Sequence, residues 1–204
     1  MTQVILQTTR IRLRIPEAYP IPKSIIEWNS RYSLDRIPDA ALGPGRMNLK
    51  IMRAALSSWE RVQFLNRYIG TAWSTSLQLD GWSALSCGAH MIMLRNQKPQ
   101  THDDFIDIGK AVQRVWLTAT KLHVWQQPEM GVPSFARYVS ENILFTILTD
   151  QRQEAASVRK TLGEIVDTDT DRVVWVGRLG FGPAPTARAL RLPIEKLIIS
   201  RPGV

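Results

Sequence analysis

Residues 101–128 read THDDFIDIGKAVQRVWLTATKLHVWQQP, and the organisation of the chain can be worked outward from them. Thr101 and Asp104 have the spacing of a capping box, in which each side chain satisfies a backbone N–H that the first helical turn leaves free. Asp103, Asp104 and Asp107 put negative charge at the helix start, where the macrodipole favours it. Phe105, Ile108, Val112, Val115, Trp116, Ala119 and Leu122 then recur at intervals of three and four, which predicts an amphipathic helix ending near His123. A second stripe of Ile106, Gly109, Gln113, Leu117 and Thr120 adjoins the first and carries no charge. The helix is therefore expected to be buried on two sides, with a neighbour close against Gly109.

On the N-terminal side, Arg10-Ile-Arg-Leu-Arg-Ile15 alternates strictly, the period of a strand with one buried face, and Pro16, Pro20 and Pro22 end it. Residues 24–29 predict a short helix or strand, and a loop runs on to Gly45. Met52, Ala55, Leu56, Trp59, Val62, Leu65 and Ile69 give one long helix over 47–69, or two broken near Ser57-Ser58. Its other face carries Arg46, Lys50, Arg53, Arg61 and Arg67 without interleaved aromatics, which suits a solvated face better than nucleic acid. Cys87 to Leu94 predicts a buried strand. On the C-terminal side, Pro128 and Pro133 bracket a loop, Ser134 can cap a helix to about Leu148, and Glu154–Val166 predicts another helix. Val173 to Val176 reads as a buried β-branched strand, followed by a glycine-rich loop over 177–185 and a short helix near 193–199. This is one α+β domain over residues 1–204, with helices outnumbering strands.

Composition narrows the class. An apolar fraction of 44% and a charged fraction of 22% are those of a globular protein. The single Cys87 excludes an internal disulfide framework and a multi-cysteine metal site, and fits a reducing compartment. Arg10, Arg12 and Arg14 interrupt any signal-peptide pattern, and no apolar run approaches the ~18–20 residues that cross a bilayer. A cytoplasmic protein is expected. The net charge of +8 sits at the two ends around a mildly acidic middle, which suits an anionic partner or simply a solvated basic surface.

Motifs for hydrolysis or zinc binding are absent, and His90, His102 and His123 show no metal spacing. His90, in an apolar run, reads as a satisfied core residue. Gly177-Arg-Leu-Gly-Phe-Gly-Pro183 has the order GxxGxG rather than the dinucleotide fingerprint GxGxxG, and Pro183 and Pro185 prevent an immediate helix. Gly180 and Gly182 nonetheless follow a buried strand, and Arg188 and Arg191 lie just beyond. Such a segment can hold a phosphate or form an ordinary strand-to-helix turn.

Gly109-Lys-Ala-Val-Gln-Arg-Val-Trp116-Leu-Thr-Ala-Thr-Lys-Leu-His-Val-Trp-Gln-Gln127-Pro128 resembles the helix and following strand of the nitroreductase family. It looks most like the subgroup found alone or fused to a ubiquitin-activating-like adenylating domain, which has Gly where this chain has His123. Trp59-Glu-Arg-Val-Gln-Phe-Leu-Asn66 with Gln78-Leu-Asp80, and Gly177–Gly182 through Arg188-Ala-Leu-Arg191-Leu-Pro193, resemble the same subgroup, so the likeness runs over about 24–199. The resemblance implies a nitroreductase-like α+β fold, with a central antiparallel or mixed sheet flanked by helices. It implies a homodimer that binds FMN and passes electrons from NAD(P)H to a small organic substrate. Gln126 to Gly131, including Gln127 and Pro128, would pass over the flavin ring, and Arg188 or Arg191 would reach the phosphate. The Arg/Ser-rich segment and the Pro-Ser-x-x-Asn-x-Gln-x-Trp stretch with which the family usually begins are not found before residue 24. The resemblance therefore also admits a split or degenerate subunit completed by a partner chain.

Overall fold

A computed structural model of the chain describes residues 1–198. In chain order the elements begin with α1 (Thr2–Arg14), α2 (Pro20–Ile25) and the two-residue strands β1 (Ile26–Glu27), β2 (Tyr32–Ser33) and β3 (Ile37–Pro38). Helices α3 (Arg46–Ala55), α4 (Trp59–Tyr68) and α5 (Thr71–Ser76) follow, and a π-turn over Leu77–Gly81 leads into α6 (Trp82–Ser86). Next come β4 (Ala89–Leu94), α7 (His102–Lys121), β5 (Trp125–Pro128), α8 (Gly131–Ser140), α9 (Thr149–Val166), β6 (Val173–Gly180) and β7 (Arg188–Ala189). The fold is mixed α+β, with small sheets among many helices. No helix of the described residues is long and apolar enough to cross a membrane.

The contacts divide the chain into two compact units. The larger comprises residues 1–19 and 63–182. Its sheet is antiparallel with order β4-β6-β5, β6 in the centre. A core of Val4, Ile5, Ile11, Val132, Phe135, Ala155, Val158, Leu162 and Val176 joins α1, α8 and α9 to that sheet. The smaller unit holds residues 20–62 and those from Pro183 onward, where β1 pairs in parallel with β3 and β2 with β7.

The expected strand over 10–15 is instead the last turn and a half of α1. Its alternation conceals a helical stripe, because Val4, Thr8, Ile11 and Ile15 are buried at spacings of four and three. Of the two alternatives for 47–69, the structure has the second: two helices, parted at Leu56–Ser58. Strand β4 is an edge strand with half-buried residues rather than a buried one. Pro133 lies inside α8, in the first turn where a missing N–H costs nothing, so α8 begins before Ser134 and ends well short of Leu148. The helix near 193–199 is a single turn at Ile194–Lys196, and residue 199 lies outside the described part.

Helix α7 has its expected capping box: Thr101 accepts from the Asp104 amide at 3.2 Å, and Asp104 accepts from the Thr101 amide at 2.9 Å. Its C-terminus is a Schellman turn, with the His123 amide on Thr120 and the Val124 amide on Ala119, and His123 in the left-handed region at φ 56°. Its burial is the correction. No residue of α7 is buried, Trp116 and Leu117 are exposed, and a Cβ on Gly109 would meet nothing within 4 Å. Within this chain the helix lies on the sheet as an outer element.

Candidate functional site

Strand β6 carries the chemistry of the larger unit. Its first half is β-branched and apolar, and its second half, Gly177-Arg-Leu-Gly180, continues the ladder rather than opening a loop. Gly177 is fixed by sterics: a Cβ there would clash with the Trp175 indole, which lies across it. Trp175 and Gly177 therefore share one face of the sheet, while Val176 and Arg178 share the other.

On the Arg178 face lies a buried polar centre. Arg178 is buried, 7% exposed, and its side chain meets two carboxylates. Its Nη1 and Nη2 donate to the Asp80 carbonyl and Oδ1, each at 3.3 Å. Its Nε stands 2.6 Å from Glu129 Oε1, a charge contact whose N–H is poorly aligned for a hydrogen bond. Thr9 donates to Asp80 Oδ2 at 2.5 Å. The π-turn aims Asp80 inward, and α1 supplies the buried Gln7, Thr8 and Thr9. The Glu129 amide donates to the Val176 carbonyl at 2.7 Å, and a Cβ on Gly131 would press on Thr8 at 3.2 Å. The turn between β5 and α8 is thus fastened to both β6 and α1. Burial pushes the Glu129 carboxyl up to about 7; the nearby Arg178 opposes this, and the Asp80 charge adds to it.

On the other side of that turn, Met130 borders a cleft of about 340 Å³. Phe105, Ile108, Gly109 and Val112 of α7 form one wall, and Pro133 of α8 and Trp175 of β6 lie opposite. The space beside Gly109 opens into it. Lys98, Arg137 and Asp171 sit at its polar edge and are bound into one ion-pair network with Glu141. The volume falls in the range of small-molecule sites, roughly 300–1,000 Å³.

The sequence-derived site residues are dispersed. Gln127 and Pro128 pair with Arg178 and Gly177, and Gly180 pairs with Trp125. Gly180 packs on the backbone of Cys87 and Gly88, and the Gly182 carbonyl accepts from Trp125 Nε1 at 2.8 Å. These four share one end of the sheet. Arg188 and Arg191 belong to the smaller unit, where Arg188 pairs with Tyr32 on extended backbone. They are not presented together by a helical turn, yet neither guanidinium has a partner among the described residues. His90 is half-satisfied: Nε2 meets the Ala84 carbonyl at 3.0 Å, and Nδ1 is buried without a partner. Sequence reasoning missed Asp80, Glu129 and Arg178. The available signal was a lone arginine inside an otherwise apolar and glycine strand, which requires a buried acid somewhere.

The chain matches no protein-family model, no curated protein and no solved structure in comparisons with each.

Proposed function

We propose that this chain is a flavin-binding body of nitroreductase type, an FMN-dependent oxidoreductase passing electrons from NAD(P)H to a small organic substrate. The observation that carries the reading is the cleft at Met130. From the segment whose sequence resembles the family's flavin-covering loop, Gln126–Gly131, Met130 lines a cleft with Phe105 and Trp175 among its walls and the dimensions of a small-molecule site. When bound, FMN supplies the two-electron chemistry. The chain's own groups would bind and orient it: Trp175 and Phe105 line the walls, Gly109 leaves room, and Met130 borders the cleft. The resemblance assigns the phosphate to Arg188 and Arg191, which belong to the smaller unit and whose guanidinium groups have no partner among the described residues. The exposed apolar side of α7 supports a homodimer or a complementing chain that covers it. That same observation favours the second reading, a subunit of this fold that acts through a partner without flavin of its own.

Titration of FMN into the purified chain, followed by quenching of flavin fluorescence, tests the proposal. A charge-assisted bond to phosphate is worth roughly 1.5–3 kcal/mol, so losing one guanidinium should weaken binding about ten- to a hundredfold. Arg188→Ala with Arg191→Ala should abolish binding while the far-ultraviolet spectrum stays folded. Wild-type affinity in the double variant would remove the phosphate assignment.

A further inference from the structure

The polar centre around Arg178 holds one guanidinium between two buried carboxylates. Asp80 is the better served: it takes bonds from Thr9 and from Arg178, and by itself it balances the arginine's charge. Glu129 shares the same guanidinium, its Oε1 at 2.6 Å from Nε, so the two carboxylates together carry one negative charge more than Arg178 neutralises. Arg12 of α1 acts on it at longer range, His90 of β4 feels Arg178 rather than Glu129, and Glu129 Oε1 has no aligned donor. A buried anion in excess of its counter-ion is costly and is relieved by a proton or by movement toward water.

We propose that Glu129 is a proton-controlled latch on the β5–α8 turn, holding the turn closed while it carries the surplus proton and loosening it on ionisation. The turn is built for this. Glu129 points into the polar centre, the next residue, Met130, borders the cleft, and the two face opposite sides of the sheet. Glu129 therefore touches no ligand in the cleft; it is a positioning residue acting through Met130. Burial raising the Glu129 carboxyl places the change near neutrality. By linkage, a conformer that raises a carboxyl's pKa is favoured by protonation, so the closed turn belongs to the acid side. Its effect on a ligand rests on the cleft being the flavin site, but the latch itself does not.

The test uses the full chain without flavin, so that its outcome and that of the flavin titration are separate. Carbon NMR of the glutamate carboxyls is recorded from about pH 5 to 9, with hydrogen exchange of residues 129–132 corrected for intrinsic rate. We expect one glutamate titrating near neutrality, lost in Glu129→Gln, and corrected exchange at the turn rising about tenfold or more over that range. Glu129→Gln, which mimics the protonated side chain, should stay protected at every pH. Asp80→Asn makes Glu129 the sole counter-ion, so its titration should move acidward by about one unit or more. A Glu129 carboxyl titrating in the ordinary range, an unmoved titration in Asp80→Asn, or wild-type pH dependence in Glu129→Gln would each overturn the latch.

Discussion

At the scale of single residues, Glu129 and His123 make opposite demands on the fold. Glu129 is raised from 4.5 to about 7, so between those values the folded chain holds a proton that the unfolded chain has lost. Its contribution is complete below about 4.5 and disappears as pH rises through 7, on the order of 3 kcal/mol. His90, lowered mainly by burial, works in the other sense, losing stability as pH falls through its unfolded value. Subtracting the denaturation curves of Glu129→Gln from those of the wild type isolates the glutamate. The difference should grow in the variant's favour from pH 5 to 8, and a flat difference would refute the assignment. His123 sits in a left-handed conformation that glycine enters without steric cost. His123→Gly should therefore stabilise by about 0.5–1 kcal/mol, read as a higher Tm. The sequence already contained this hint, since the resembling subgroup has glycine there. The Arg178 centre was less legible, because Asp80 and Glu129 lie far from Arg178 along the chain and only the fold brings them together.

At the scale of elements, legibility depended on how completely local chemistry specifies each one. The ends of α7 were readable because a capping box and a dipole-matched acidic turn act within a few residues. Its surroundings were not: an uncharged stripe around Gly109 fits a close-packed neighbour and an open cleft equally well. Residues 10–15 match a strand because Arg alternates there with Ile and Leu, while the residues that decide for helix α1, Val4, Ile5 and Thr8, precede them. The glycine run reads as a loop in sequence, yet it continues β6, and Gly177 is required there by the Trp175 ring that lies across it. These placements reverse the expectation for Gly109→Leu. With nothing within 4 Å of the new Cβ, overpacking is avoided, and the gain in helix propensity of roughly 0.5–1 kcal/mol should keep or raise the Tm. The leucine would fill the cleft instead, so FMN affinity should fall about tenfold or more. A clear drop in Tm would mean that a neighbour does pack on Gly109.

At the scale of the whole molecule, the α+β class was readable from element order, while the division into two compact units was not, since no linker marks it. The smaller unit is made from two distant stretches whose two-residue strands leave almost no periodic signal. The larger unit has its own core, yet it leaves a 20-residue amphipathic helix without a buried residue. A second chain over α7 would bury that face, and the cleft beside Gly109 would then lie close to the covered surface. Flavin binding is the central claim, and it has a direct readout. Purified chain is incubated with excess FMN, passed through a desalting column, and its visible absorption recorded. The account predicts retained flavin bands, shifted from those of free FMN and lost in Arg188→Ala with Arg191→Ala. Colourless protein from the wild type would contradict it.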